Sequence, residues 1–283
     1  MSATPAMSDR VWFITGSSRG LGRALAEEVL EAGHRVAVTA RNTASLTDLP
    51  ARHGDRALLL PLDVTDAEQA NQTVKAALDA FGRLDVVVNN AGYANIVPVE
   101  QVTPDDFRAQ VDAVFYGTVQ VTKAALPIFR EQGSGHFIQV TSTGGRLTAP
   151  GMSAYQAAKH AVEGFSKVLA MEVNRLGIKV TLAEPGAMRT DWAGTSMQTP
   201  PVDPAYEKTV GALIARARSR SGQEPIDPAK VARALLDITR LPEPPLQLVL
   251  GRSAVEYVAE DLNRQLTEDA KWAWLGRSVD FTP

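Results

Sequence analysis

Short apolar runs alternate along this chain with longer stretches in which apolar positions recur every three or four residues, the patterning of strands alternating with amphipathic helices. Val11-Trp12-Phe13-Ile14-Thr15 is the first run. A glycine-rich string, Gly16-Ser17-Ser18-Arg19-Gly20-Leu21-Gly22, follows it, and Leu21, Leu25 and Val29 then fall at helical spacing up to Gly33. The same reading places strands over 35–39, 57–62, 84–88, 136–140, 178–183 and 246–250, seven with the first. The fourth is apolar through Val86-Val87-Val88, which marks a strand buried on both faces. Helices are read over about 65–81, 103–128, 153–175 and 226–239. The pattern predicts an α/β fold, a doubly wound parallel sheet of about seven strands with helices on both faces.

Local signals refine the boundaries. Thr65-Asp66-Ala67-Glu68 reads as a capping box, and Thr103-Pro104-Asp105-Asp106 as a cap followed by proline and acids. Pro127 marks a kink or the approach of a helix end, and Gly177 closes the helix from Ser153. Residues 193–228, rich in Ser, Thr, Pro and Gly around a short helical run over 205–217, read as a lid inserted between core elements. From Arg252 the chain is helical at first and then carries Trp272, Trp274 and Phe281, which need covering by the body or by a second subunit. The expected organisation is a flexible tail (1–10), one catalytic domain (11–265) whose substrate lid spans about 187–228, and an aromatic tail (266–283).

Composition narrows the chemistry. The 283 residues carry 29 basic and 32 acidic side chains, a formal charge of −3, so no global field draws in nucleic acid or an anionic membrane. Cysteine is absent, which removes disulfides, thiolate metal sites and thiol nucleophiles together. His34, His53, His136 and His160 have no metal-ligand spacing, so no bound metal is expected. The first ten residues lack a basic region followed by an apolar one, and no apolar run approaches a membrane span. A cytoplasmic protein is expected.

Candidate chemistry sits at the strand ends. Glycines in the 16–22 string allow a tight turn and close approach of a ligand, and the helix start beyond them attracts phosphate; a plain tight turn is the alternative. After the second strand comes Ala40-Arg41, with no acid to accept from a ribose 2'-hydroxyl. Arg41 and Arg19 offer two guanidiniums suited to a 2'-phosphate, which favours NADP(H), unless both are solvated surface arginines. Tyr155-Gln156-Ala157-Ala158-Lys159 puts a phenol and an ammonium on one helix face, where the cation favours the phenolate; the alternative is an ordinary surface pair. Ser142 follows the fifth strand, either as a loop residue or as a partner for Tyr155.

Taken together, Thr15-Gly16-Ser17-Ser18-Arg19-Gly20-Leu21-Gly22, Asn89-Asn90-Ala91-Gly92, Ser142 with Tyr155-x-x-x-Lys159, and Pro185-Gly186 resemble the short-chain dehydrogenase/reductase family over roughly residues 10–265. The resemblance implies a Rossmann-type sheet and an oxidoreductase. It implies that Tyr155 exchanges the proton, Ser142 holds the carbonyl oxygen, and Lys159 lowers the tyrosine pKa and binds the nicotinamide ribose. The implied cofactor-binding set is Gly16, Ser18, Arg19, Gly20, Leu21, Arg41, Asp63, Val64, Asn90, Ala91, Gly92, Tyr155, Lys159, Pro185, Gly186 and Thr190. It further implies pairing into a homodimer or homotetramer.

One position departs from the family pattern. Many members carry a relay asparagine three residues before a helix glycine, and counting back from Gly117 that position is Val114. The expected function is NADP(H)-dependent reduction of a small-molecule ketone or aldehyde, or the reverse oxidation of a secondary alcohol. Val114 keeps open an alternative, an NADP(H)-binding redox sensor with little turnover. Tyr93, Leu147 and Trp192, with Met197 in the lid, are candidates for an apolar substrate pocket.

Overall fold

The computed structural model describes residues 9–190, 197 and 199–281. Seven strands, β1 (Val11–Ile14), β2 (Arg35–Ala40), β3 (Ala57–Pro61), β4 (Val86–Asn89), β5 (Gly135–Val140), β6 (Ile178–Pro185) and β7 (Gln247–Leu250), form one sheet in the order β3-β2-β1-β4-β5-β6-β7. Every pairing is parallel, with Ile14 of β1 level with Val38 of β2 and Val88 of β4. This is the doubly wound arrangement the periodicity predicts.

Alternation along β1 shows how the two faces are filled. Trp12 and Ile14 join a core with Leu25, Val29 and Leu30 of α1 (Gly20–Glu31) and Val231, Leu235 and Leu236 of α8 (Pro228–Ile238). Val11 and Phe13 join the opposite core, with Val74 of α3 (Ala67–Phe81), Val121 and Phe129 of α5 (Gly117–Gln132), and Leu169 and Val173 of α6 (Ser153–Val173). Burying both faces removes the central strands from water and makes the sheet a stiff base whose carboxyl ends carry the loops, while the edge strands β3 and β7 stay partly exposed.

The helices depart from expectation in detail. Asp66, not Thr65, caps α3: its carboxylate accepts from the Glu68 and Gln69 amides at 2.9 and 3.0 Å, while the Thr65 hydroxyl turns to Asp63. A short helix α2 (Asp48–His53) lies in the connection to β3, where the sequence carries no long periodic run. The helix expected over 103–128 begins as α4 (Pro104–Val111), opens into a wide π turn over Asp112–Tyr116, and resumes as α5, which continues through Pro127 to Gln132. From the first turn of α5 the Thr118 hydroxyl donates back to the Val114 carbonyl in that turn at 2.9 Å, a side-chain bond that competes with the regular ladder.

The lid region contains a turn at Pro204–Tyr206, a π turn at Glu207–Gly211 and α7 (Ala212–Arg220). The last helix, α9 (Arg252–Arg277), runs unbroken past residue 266, with Trp272 and Trp274 57% and 66% exposed. No helix among the described residues is long and apolar enough to cross a membrane.

His136, at the start of β5, is buried with Nε2 2.9 Å from the Thr181 hydroxyl oxygen, and burial pushes its pKa down to about 3. The unfolded chain binds this proton below its ordinary pKa near ~6.5 while the folded chain does not, so stability is present above that value and lost as pH falls toward 3. Chemical denaturation should show a slope of about 1.4 kcal/mol per pH unit from this residue. Replacing His136→Gln should remove that component between pH ~6 and ~4.

Candidate active site

Strand order reverses between β1 and β4, so the loops after them part and leave a crevice at their carboxyl ends. The glycine string lines one side. An added Cβ on Gly16 (φ +67°) would stand 2.9 Å from the Ala91 Cα, and one on Gly22 would stand 2.4 Å from the Gly16 oxygen. Both glycines are required by close packing. Asn90 ties the string to β4: its Nδ2 donates to the Thr15 and Gly16 carbonyls at 2.9 and 3.2 Å, and its amide donates to the Thr15 hydroxyl at 2.9 Å, as does the Ala91 amide at 3.0 Å. Helix α1 then opens with no side-chain cap and no acid in its first turn. Its leading amides thus keep the polarity that suits a phosphate.

The remaining nucleotide candidates ring this crevice. Ala40 is buried at the end of β2, and Arg41 and Arg19 are exposed, with no side-chain hydrogen bond or ion pair to the described residues. Asp63 accepts from the Thr65 amide and hydroxyl at 3.0 and 2.8 Å, and Val64 packs where a Cβ on Gly117 would stand 2.6 Å from it. Gly92 is exposed and Ser18 half-buried. Across the opening, Pro185 ends β6, the Gly186 amide donates to the Leu250 carbonyl at 3.0 Å, and the Thr190 side chain lies 3.6 Å from the Cβ position of Gly20.

Ser142, Tyr155 and Lys159 come together at the end of β5. The Ser142 oxygen accepts from the Gly144 amide at 3.0 Å, and the Ser142 and Tyr155 side chains are hydrogen-bonded. Lys159 Nζ donates to the Val140 carbonyl at 2.7 Å and lies 5.7 Å from the centre of the Tyr155 ring. Burial pushes Tyr155 up to about 12, with the Ser142 hydrogen bond pulling the other way. Burial also pushes Lys159 down to about 8, against the charge of Glu163. The expected lowering of the tyrosine pKa by the lysine is not seen in the protein alone: the ammonium is turned to a carbonyl, and desolvation of the phenolate outweighs the Ser142 hydrogen bond. Val114 is fully buried in a cluster with Ala94, Tyr155 and Ala158, so an apolar side chain flanks the phenol.

On the substrate side Tyr93 and Leu147 are half-buried, and Trp192 lies outside the described residues. Burial, then Asp106, raises the Tyr93 pKa, while Arg41 opposes. A buried apolar cluster that the sequence reading left out, apart from Met197, is built under the lid by Ile96, Val210 and Ile214 with Met152, Met197 and Tyr206. Its one sequence signal is the helical spacing of Val210, Ile214 and Ala217 in the lid. No group of three or more His, Cys, Asp or Glu among the described residues is arranged to hold a metal ion.

A parallel sheet with a glycine-lined crevice at its reversal point, and a serine, tyrosine and lysine beside it, defines a nucleotide-dependent oxidoreductase architecture. Residues 10–200 match the family model for short chain dehydrogenase. Oxidoreductase BOA17 of Botryotinia fuckeliana is 52% identical over 264 residues, covering 93% of this chain and 96% of its own. A crystal structure of a short-chain dehydrogenase from Streptomyces avermitilis superposes with a TM-score of 0.91 at 39% identity, over 97% of this chain and all of that one. An alcohol dehydrogenase from Thermococcus sibiricus, complexed with 5-hydroxy-NADP, superposes at 0.70 with 26% identity, over 86% of this chain and 96% of that one. The chain belongs to the short-chain dehydrogenase/reductase family and is an oxidoreductase.

The Tyr155 environment is measurable without any ligand. In ultraviolet titration, the difference between the protein and its Tyr155→Phe variant should show a phenol ionising at about 12. Ser142→Ala should move that step higher, because it removes the hydrogen bond that favours the phenolate. A step near the ordinary value of ~10 contradicts the buried geometry.

Proposed function

We propose that the protein transfers hydride between NADP(H) and a small molecule bearing a carbonyl or a secondary alcohol, acting in the reductive direction on a ketone or aldehyde. The observation that carries this reading is the buried meeting of Ser142, Tyr155 and Lys159 at the end of β5, on the same edge of the sheet as the uncapped start of α1. When bound, the dinucleotide supplies the hydride. Ser142 and Tyr155 bind the substrate oxygen in a water-poor site, which strengthens both hydrogen bonds as charge develops there. Tyr155 gives its proton to that oxygen, because a phenol is a stronger acid than the alcohol being formed. Lys159 holds the nicotinamide ribose and, as a cation, steadies the tyrosinate left behind.

The fold accommodates either dinucleotide, so selectivity rests on the residues after β2. Ala40 supplies no acid for a ribose 2'-hydroxyl, and Arg41 and Arg19 are exposed guanidiniums without an acceptor among the described residues. Both features support NADP(H). The apolar cluster of Ile96, Met152, Val210 and Ile214 under the lid, with half-buried Tyr93 and Leu147, supports an apolar substrate. Exposed Tyr116 in the π turn, with exposed Val168 and Met171 on α6, supports assembly as a homodimer or homotetramer. Val114 favours a second reading, an NADP(H)-binding sensor with little turnover, because it places no polar group on its flank of Tyr155.

Oxidation of NADPH, followed by absorbance across a panel of ketones, aldehydes and quinones, separates the two readings. Turnover of any carbonyl is expected, and tight NADPH binding with sustained failure across the panel selects the sensor. Tyr155→Phe should lower kcat by at least about 10²-fold with NADPH affinity unchanged. A near-normal rate in that variant removes Tyr155 from the chemistry. Arg41→Ala should weaken NADPH binding about 10-fold or more and leave NADH binding unaltered, a difference equilibrium fluorescence titration reads directly.

A further inference from the structure

Beneath the site runs a buried polar chain that hydride transfer does not itself require. Glu163 lies on α6 one turn beyond Lys159, and the two residues are only 4% and 5% exposed. Glu163 Oε1 accepts from the Thr141 hydroxyl at 2.8 Å, and its Oε2 accepts from Gln247 Nε2 at 2.9 Å. The same Gln247 nitrogen donates to Glu184 Oε1 at 3.1 Å, and Arg146 Nη2 donates to that oxygen at 2.7 Å. Thr141 precedes Ser142, and Glu184 precedes Pro185. An added Cβ on Gly145 would stand 2.9 Å from Glu163 Cγ and 3.2 Å from the Lys159 carbonyl, so the turn that follows Ser142 rests directly on this stretch of helix. One carboxylate thus joins the strand ends that carry Ser142 and Pro185 to the helix that carries Tyr155 and Lys159.

Charge enters as well. The charged groups facing Glu163 are Lys159 and Lys167 on α6, the latter 3.6 Å away and half-exposed, with Arg146 from the turn after β5 and Glu184 from β6. Strand β7 contributes the neutral Gln247. Lys159 itself donates to the Val140 carbonyl, a neutral acceptor, which leaves Glu163 as its nearby opposite charge. Burial draws Lys159 down to about 8, and Glu163 pulls it back up.

Building on the hydride-transfer reading, we propose that Glu163 is a positioning residue of the active site: it holds Lys159 in its charged form and, through Thr141, keeps Ser142 in register with Tyr155. The sign of the effect is set by the charge. Removing the carboxylate lowers the pH at which Lys159 gives up its proton, so the ammonium is lost closer to neutrality.

The test follows the ¹⁵N resonance of Lys159 Nζ against pH in the protein without cofactor, together with the pH profile of carbonyl reduction. The wild-type midpoint is expected at about 8. Glu163→Gln should lower that midpoint by about one pH unit and move the alkaline limb of kcat in the same direction, with KM little changed. Glu163→Asp, which keeps the charge, should return the midpoint toward the wild-type value. An unmoved midpoint in Glu163→Gln overturns the proposal whatever the enzyme's activity. A lowered midpoint in a protein that reduces no carbonyl supports the hold of Glu163 on Lys159 and sinks the hydride-transfer reading instead. Should Glu163→Gln fail to fold, the ¹³C resonance of the wild-type Glu163 carboxyl serves: it should report a step at the Lys159 midpoint, and a flat trace there overturns the proposal.

Discussion

Tyr155, Lys159 and Glu163 stand at four-residue intervals along α6, buried where a helix packed on a parallel sheet ordinarily presents apolar side chains. A buried charge or hydroxyl without a partner costs several kcal/mol, so the helix is stable only where each of these groups meets its partner. Lys159 finds the Val140 carbonyl, Glu163 finds Thr141 and Gln247, and Tyr155 finds Ser142. Apolar contacts through Val162, Leu169 and Val173 would tolerate a small slide of the helix, because dispersion is weakly directional. Hydrogen bonds to the ends of β5 and to β7 do not, and they fix where the phenol and ammonium stand relative to the crevice.

The crevice is held open from the other side by backbone packing. Gly16 and Gly22 let the loop after β1 lie against Ala91 and the Asn90 amide at distances no side chain would permit. Asn90 and Thr15 then fasten that loop to the end of β4. Both attachments rest on a sheet buried on its two faces, whose strands cannot shift register without exposing one core or the other. The crevice and the Tyr155 phenol are thus registered to each other through the sheet.

Val114 shows how a departure from a family pattern is accommodated. It occupies a π turn between α4 and α5 and packs against Tyr155, Ala94 and Ala158, a closed apolar contact that shields the phenol and contributes to its raised pKa through desolvation. The polar contacts of α6 lie instead at Lys159 and Glu163, which reach the Val140 carbonyl and the Thr141 hydroxyl under the strand ends. The flank of the tyrosine and the floor of the site have opposite character, one dry and one polar.

The alternation of apolar runs with helical stripes carried the seven strands, the parallel doubly wound class, the placement of Gly16 and Ser142 just after strands and that of Tyr155 and Lys159 on one helix, because each of these follows from residues close in sequence. Local ambiguity misplaced the α3 cap: Thr65 and Asp66 are both good caps, and the bond from Thr65 to Asp63 settles which is free to serve. The π turn at Val114 was illegible because a widened turn has no periodic signature of its own. The clasp of Glu163, Gln247, Glu184 and Arg146 was illegible for a stronger reason: Glu163 and Gln247 are 84 residues apart, and nothing near either predicts the other. Sequence alone determined the fold, since short-range periodicity encodes it, and singled out Ser142, Tyr155 and Lys159 as a candidate triplet through motifs shared with the family. Tertiary structure alone decided the tyrosine's acidity, the dry flank at Val114 and the polar floor beneath Lys159, since desolvation and long-range hydrogen bonds exist only once the distant segments have met.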